Sequence, residues 1–165
     1  VARALNANPQ LKSSLAQQGD VLVYKDYCHI GMAVDTPNGL VVPVIRDADK
    51  KSIWTLGDEI RELAAKAKDK KLKPDEMQGA VFTVSSLGNI GGHGFTPIVN
   101  TPEVGILGVS KASTQPVWDG SAFQPRTMLP VSLSYDHRVV NGGDAGRFLT
   151  YLLVLLSDIR QLAMN

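Results

Sequence analysis

The run VGILGVSK, at 104–111, constrains the fold more than any other stretch of the chain. It is short and almost entirely apolar, which predicts a fully buried strand. Two further runs also predict strands: AVFTVSS at 80–86, which is rich in β-branched residues, and TMLPVSLSYDHR at 127–138. Together with the hairpins described below, these runs predict a mixed sheet.

Helical periodicity marks the segments that cover this sheet. In SIWTLGDEIRELAAKAKDK, at 52–70, apolar residues recur at helical spacing, and Ser52 can cap the start. The stretch DAGRFLTYLLVLLSDIRQLAM, at 144–164, has a broad apolar face that includes Ile159 and predicts one closing helix. Residues 1–17 predict a helix, a break and a short second helix.

Turn signals predict two hairpins. The triplet PNG, at 37–39, separates a strand that begins near His29 from the strand LVVPVIRD, and Asp119-Gly120 marks a second turn. Pro43 favours an edge or irregular position for its strand. These elements predict an α/β fold, a mixed-sheet sandwich with covering helices, rather than the alternating order of a doubly wound sheet. Their surplus of apolar surface favours an oligomer.

Charge and length exclude several classes of protein. Seventeen basic residues nearly cancel sixteen acidic ones, whereas a nucleic-acid or membrane-surface protein would carry a basic excess. No apolar run approaches the ~20 residues that span a bilayer. Cys28 is the only cysteine, so no internal disulfide can form, which fits a reducing compartment. The 165 residues suit one domain.

The first candidate for chemistry is His137, which lies between two opposite charges in LSYDHRVVNGG, at 133–143. Adjacent side chains of a strand point to opposite faces, so Asp136 cannot easily orient the imidazole as a triad aspartate does. Asp136 is expected instead to pair with an arginine behind the strand and to fix the backbone. His137 is then presented on the other face, where a histidine satisfied by ordinary hydrogen bonds remains the alternative.

Other polar residues give weaker signals. His93 lies in a glycine-rich loop that either contacts a ligand or is merely exposed, and His29 faces away from Cys28 if both lie in a strand. The spacing of the histidines and the cysteine does not predict a metal site. Ser85 and Ser86 both lack the leading glycine of a hydrolase elbow, so a hydroxyl here can donate to a developing oxyanion rather than attack.

A histidine base with a hydroxyl donor suits acyl transfer to a thiol. A thiol has a pKa near ~8.5 and a histidine near ~6.5, so removal of the proton is only slightly uphill. Water or an alcohol would need much stronger activation.

The stretch DHRVVNG, at 136–142, resembles the D-H-R-x-x-x-G motif of the dihydrolipoamide acyltransferases, the core components of 2-oxo-acid dehydrogenase complexes. The related chloramphenicol acetyltransferases carry the looser H-x-x-x-D-G. Other stretches resemble the same catalytic domain in order and spacing: GLVVPVIRDAD, FTVSSLGNIGG, FTPIVNTPEVGILGVSK, QPVWDG and MLPVSLSYDHRVVNGG. The sequence around SSLG, at 85–88, is more similar to the acetyl-transferring, pyruvate-type branch of the family than to the succinyl-transferring branch.

This resemblance implies roles for six residues. His137 is the catalytic base, Ser85 stabilises the oxyanion, and Asn141 occupies a catalytic position where many members have aspartate. Asp136, Arg138 and Gly142 are structural residues of the site. The resemblance also implies that residues 1–165 form a single catalytic domain of the chloramphenicol-acetyltransferase type that lacks its N-terminal segment, with no lipoyl or subunit-binding domain.

The family further implies partners and a location. Coenzyme A is the acceptor substrate, the lipoyl group is carried on a separate domain, and no metal takes part. Homotrimers, with His137 of one chain facing Ser85 of a neighbour, assemble into a core of 24 or alternatively 60 subunits. This core works with lipoyl domains, the decarboxylase and dihydrolipoamide dehydrogenase, without nucleic acid or membrane, in a bacterial cytoplasm or a mitochondrial matrix.

Two rival functions stay open on the sequence. A chloramphenicol-type acetyltransferase shares the histidine chemistry but not the other matching stretches. A structural assembly core with an incomplete active site is the non-enzymatic alternative.

Overall fold

A computed structural model describes residues 1–16, 18–88, 90, 92–158 and 160–163. The α-helices in these ranges are α1 (Ala2–Ala7), α2 (Ile53–Lys68), α3 (Gly142–Ser157) and α4 (Arg160–Ala163). The strands are β1 (Ser13–Leu15), β2 (Leu22–Tyr24), β3 (Ile30–Thr36), β4 (Gly39–Val41), β5 (Val44–Ile45), β6 (Phe82–Ser86), β7 (Gly105–Val109), β8 (Ser113–Trp118), β9 (Phe123–Met128) and β10 (Val131–Tyr135). Parts of the predicted glycine loop, Asn89 and Gly91, lie outside the described residues.

The main sheet is mixed, with strand order β10-β7-β6-β3-β4 and β5 as a second partner of β3. Strand β6 runs parallel to both β3 and β7, whereas β10 runs antiparallel to β7. The run at 104–111 forms β7, which is buried along four of its five residues. The prediction of a buried strand is therefore confirmed, and the structure adds that β6 and β10 are its neighbours.

Alternation along the strands gives this sheet two different faces. On the helix face, Phe82 and Leu107 join a core with α3, and the rings of Phe82 and Phe148 lie 5.6 Å apart. We call the opposite side the open face. It is formed by Gly31, Ala33, Thr83, Ser85, Ile106, Gly108, Ser132 and Ser134. Small and hydroxyl side chains dominate the open face, so other groups can approach its backbone closely.

Several local predictions hold and others do not. Ser52 caps α2 by accepting a hydrogen bond from the Thr55 N–H, as expected. The hairpin of β3 and β4 is present, and the chain leaves the strand at Pro43 before β5. The prediction of a single closing helix is wrong, because Asp158 adopts an extended backbone and accepts the Arg160 N–H at 3.1 Å at the start of α4. Ile159, which the prediction placed on the apolar face, lies outside the described residues.

The hairpin of β8 and β9 forms its own two-stranded sheet, apart from the main sheet. Almost every residue of the hairpin is exposed, including Trp118 and Phe123, whose rings meet edge to face 5.2 Å apart. An isolated hairpin is marginally stable in water. The hairpin of β8 and β9 is therefore suited to packing against another protein surface.

Candidate active site

His137 lies at the tip of a turn that follows β10. The Asp136 N–H donates to the Val104 carbonyl at 2.9 Å, and the Asp136 carbonyl accepts from the N–H groups of Val139 and Val140. Val140 is completely buried, so it anchors the far side of the turn. The imidazole of His137 is exposed beside the ring of Tyr135, with 5.6 Å between ring centroids. The turn thus presents a histidine on a fixed backbone.

Asp136 holds this turn through Arg138. The Arg138 guanidinium donates to both carboxylate oxygens at 2.6–3.2 Å, and the Arg138 N–H donates to Oδ1 at 3.0 Å. These hydrogen bonds keep the pKa of Asp136 below its usual range. The expectation of an arginine behind the strand was wrong, because 136–139 form a turn rather than a strand and bring Arg138 onto the carboxylate.

Asn141 and Gly142 begin α3. The Asn141 side chain accepts a hydrogen bond from the Asp144 N–H at 2.9 Å, and Asp144 accepts in return from the Asn141 N–H at 3.4 Å. This reciprocal arrangement is a capping box, and Arg147 binds the other oxygen of Asp144. Asn141 therefore has a structural role in this chain, four residues after His137.

Ser85 lies near the end of β6 on the open face. In register it is flanked by Ala33 of β3 on one side and by Gly108 of β7 on the other. A Cβ atom on Gly108 would lie 3.0 Å from the tip of the Phe95 ring and 2.6 Å from Ser132 Oγ. Since Ser132 Oγ donates to the Phe95 carbonyl at 2.6 Å, the ring lies over β7 at Gly108, the register neighbour of Ser85. The half-buried Ser85 thus lies one strand away from a small apolar wall formed by the Phe95 ring.

One chain does not bring Ser85 and His137 together. Ser85 pairs with Gly108, which pairs with Ser132, so two strand spacings separate β6 from β10. Tyr135 lies three residues further along, which puts its Cα ~14 Å from that of Ser85, with His137 beyond. Neither of two surface clefts, of about 420 and 380 Å³, is lined by Ser85 or His137. A site that uses both side chains requires a second copy of the chain.

The remaining sequence candidates stand apart from these residues. His93 is exposed. Burial raises the pKa of the Cys28 thiol to about 11, which disfavours a nucleophilic thiolate. His29 accepts the Asp47 N–H at its Nδ1 atom, 2.9 Å away, and burial lowers its pKa. Both residues have local structural explanations.

A buried carboxyl was missed by the sequence reasoning. Glu103 accepts a hydrogen bond from Thr83 Oγ1 at 2.6 Å and another from Asn100 Nδ2 at 3.2 Å. An acidic residue directly before the apolar run of β7 was the available signal. The role of Phe95 had none, since it depends on contacts between distant parts of the chain.

Two features of the described ranges concern metals and membranes. No cluster of three or more His, Cys, Asp or Glu side chains in these ranges has an arrangement that could hold a metal ion. No helix within them is both long and apolar enough to cross a bilayer.

Known relatives cover almost the whole chain. The dihydrolipoyllysine-residue acetyltransferase component of the pyruvate dehydrogenase complex of Pseudomonas aeruginosa is 64% identical over 163 residues, 99% of this chain and 30% of that protein. The corresponding component of Haemophilus influenzae is 54% identical over 99% of this chain and 29% of its own length. The chain thus spans less than a third of these curated relatives.

Solved structures of related proteins show the same fold as this chain. The dihydrolipoamide acetyltransferase of Azotobacter vinelandii has a TM-score of 0.94 at 63% identity, over 97% of this chain and 66% of that one. The cubic core of a pyruvate dehydrogenase multienzyme complex has a TM-score of 0.94 at 64% identity with the same coverage. A chloramphenicol acetyltransferase, at 17% identity and TM-score 0.58 over 90% of this chain and 70% of its own, shares the fold alone, which confirms the predicted fold class.

The family described as "2-oxoacid dehydrogenases acyltransferase (catalytic domain)" matches residues 1–164. With this match over nearly every residue and relatives above half identity, the chain belongs to that acyltransferase family.

Proposed function

We propose that this chain transfers an acetyl group from S-acetyl-dihydrolipoamide to coenzyme A in the core of a pyruvate dehydrogenase complex. One observation carries the residue assignment. The Azotobacter vinelandii structure addresses the role of one serine, one histidine and one asparagine in the catalytic mechanism of that enzyme. In that chain the serine precedes the histidine by 52 positions and the asparagine follows it by four. Ser85, His137 and Asn141 have the same two separations.

Each side chain has a distinct part in this reaction. His137 accepts the proton of the coenzyme A thiol, which makes the sulfur nucleophilic, and later returns a proton to the departing dihydrolipoamide sulfur. Ser85 donates a hydrogen bond to the thioester oxygen as negative charge develops there. Asp136 and Arg138 hold the turn that carries His137, while Asn141 and Gly142 start α3 directly behind it.

The catalytic unit is a homotrimer in which His137 of one chain meets Ser85 of the next. The separation of these residues within one chain supports this arrangement, and so do the exposed hairpin of β8 and β9 and the exposed Ile98 and Leu153. The likeness to a cubic core favours assembly of trimers into 24 subunits. Lipoyl domains, the decarboxylase and dihydrolipoamide dehydrogenase are the proposed partners, and the bacterial cytoplasm is the proposed location. Residues 1–165 act as one catalytic domain, and the lipoyl group is carried on a separate domain.

The assignment is tested by measuring acetyl transfer between dihydrolipoamide and coenzyme A in alanine variants. Ser85→Ala should lower kcat by ~10²–10³-fold with little change in KM, because one oxyanion donor is lost. His137→Ala should be nearly inactive. Ser86→Ala is the matched control, since its exposed hydroxyl alternates to the other side of β6. Full turnover in Ser85→Ala would remove the donor role, and transfer by His137→Ala at the wild-type rate would remove the base.

Mixed assemblies test whether the site is shared between chains. Equal co-expression of Ser85→Ala and His137→Ala chains restores both groups at about one quarter of random trimer interfaces. Activity should therefore rise from near zero toward about a quarter of the wild-type rate. If both groups acted within one chain, no mixture of the two inactive variants would recover activity.

A further inference from the structure

Glu103 is a buried carboxyl that the reaction above does not use. Glu103 is 6% exposed, and within the described residues its carboxylate meets two hydrogen-bond donors, Thr83 and Asn100, and no cation. Burial raises the pKa of Glu103, while hydrogen bonds from Thr83 and Asn100 oppose that rise. Burial of an acidic group without a cation is costly, so the position calls for an explanation beyond packing.

The first partner of Glu103 belongs to the strand that carries Ser85. Thr83 is fully buried and lies two residues before Ser85 on the open face of β6. Its hydroxyl reaches Glu103 because its neighbour in β3 is Gly31, where a Cβ atom would lie 2.7 Å from Thr83 Oγ1. The absence of a side chain at Gly31 therefore leaves the space that the Thr83 hydroxyl needs to donate to Glu103.

The second connection leads to His137. The Glu103 N–H donates to the Asn100 carbonyl at 3.0 Å, and the Asn100 amide donates to the carboxylate, which closes the turn at 100–103. The next residue, Val104, accepts the Asp136 N–H at 2.9 Å, the first main-chain bond of the turn that presents His137. Glu103 is thus one residue away from the backbone that holds the histidine turn.

We infer that Glu103 is a positioning residue: by fastening the turn at 100–104 to Thr83 of β6, it fixes the backbone on which the His137 imidazole stands. This inference rests on the proposed acetyl transfer for its kinetic consequence. The carboxylate acts through its two hydrogen bonds and not through its charge. Small misplacement of a catalytic base has large kinetic effects, up to ~10²-fold for about 1 Å.

Paired variants separate positioning from a merely structural role. Glu103→Ala should lower kcat about tenfold or more at a temperature where thermal unfolding shows the protein folded, with the KM for coenzyme A within about twofold. Glu103→Gln keeps an oxygen that accepts from the Thr83 hydroxyl, and its new amide N–H can donate to Asn100 Oδ1 once the Asn100 amide turns over, so it should stay within about threefold of wild type. Thr83→Ser should likewise retain activity, and Thr83→Val should lose it.

The pH profile distinguishes position from charge. If Glu103 acted through its charge, Glu103→Gln would shift the pH profile of kcat/KM and lose activity as Glu103→Ala does, which would overturn the inference. An unchanged kcat in folded Glu103→Ala and Thr83→Val would also overturn it. Should Glu103→Ala fail to fold, Thr83→Val still removes the hydrogen bond without altering the carboxyl.

A readout independent of turnover keeps this test separate from that of the proposed function. The rate at which diethyl pyrocarbonate modifies His137, followed by peptide mass spectrometry, should change in Glu103→Ala and Thr83→Val and not in Thr83→Ser. Wild-type protein without transfer activity would refute the proposed function alone. Modification rates equal to wild type in both disruptive variants would refute the positioning role alone.

Discussion

Asn141 combines a helix cap with a proposed catalytic position, and substitutions can separate the two. Its side chain accepts the Asp144 N–H at 2.9 Å, and the first two residues of α3 are Gly142 and Gly143. Glycine costs about 1 kcal/mol in a helix relative to alanine, so the first turn depends strongly on its cap. Asn141→Ala removes the acceptor and leaves the N–H of the buried Asp144 without this partner.

The expected magnitude follows from this single bond. Loss of an asparagine cap to alanine costs about 1 kcal/mol, within a range of about 0.5–2 kcal/mol. For a chain of this size each kcal/mol lowers Tm by about 2–4 °C. Asn141→Asp keeps the acceptor and gains from the helix dipole, but its charge lies close to Asp144. We therefore expect Asn141→Asp to remain within about 0.5 kcal/mol of wild type.

Thermal unfolding at one fixed chain concentration measures these differences, because the stability of an oligomer depends on concentration. The acetyl-transfer assay on the same samples then reports catalysis. If Asn141→Asp unfolds like wild type yet loses kcat, the amide donor of Asn141 matters to the reaction beyond the cap. An Asn141→Ala protein with the wild-type Tm would refute the capping argument.

Three further predictions concern packing and pH. Gly108→Ala forces a Cβ atom against Ser132 and Phe95, so it should destabilise the chain by about 1–3 kcal/mol in denaturant unfolding, unlike Ala substitution at the exposed Gly146. Phe95→Ala should open the wall beside Ser85 and raise propionyl and butyryl transfer relative to acetyl transfer, and unchanged ratios in competition assays would contradict this geometry. The folded-state pKa of His29 lies below its unfolded value of about 6.5, so its contribution to stability is complete above that pH and declines as pH falls through and below it. His29→Asn, which keeps an acceptor for the Asp47 N–H, should flatten that decline in unfolding measurements across pH.

The elements fixed by local periodicity were predictable from the sequence. Helix α2, the buried strand β7 and the hairpin of β3 and β4 each follow from patterns that extend over a few residues. The division of the closing helix was not predicted, because its apolar face continues while one side chain, Asp158, caps a new start. A competing cap depends on a single backbone conformation that periodicity does not report.

Some features of the candidate site were likewise predictable from the sequence, and others were not. The positions of His137, Ser85 and Asn141 could be taken from short motifs, since motifs preserve residue type and spacing. The pairing of Asp136 with Arg138 could not, because it required knowing that the chain turns there. The Phe95 wall and the Glu103 link depend on residues 95–103 crossing the open face, and only tertiary structure shows that path.

The strand order explains why the proposed site must belong to an assembly. Ser85 lies at the carboxyl end of β6, which is parallel to β7, whereas His137 follows the carboxyl end of the antiparallel β10. The carboxyl ends of antiparallel strands lie at opposite ends of the sheet, so no choice of side chains within this topology brings the two groups together. Each chain therefore offers two proposed half-sites at opposite ends of its sheet, which a ring of identical chains can complete head to tail. On this reasoning, activity should disappear with dissociation of the chains even under conditions where each chain keeps its fold.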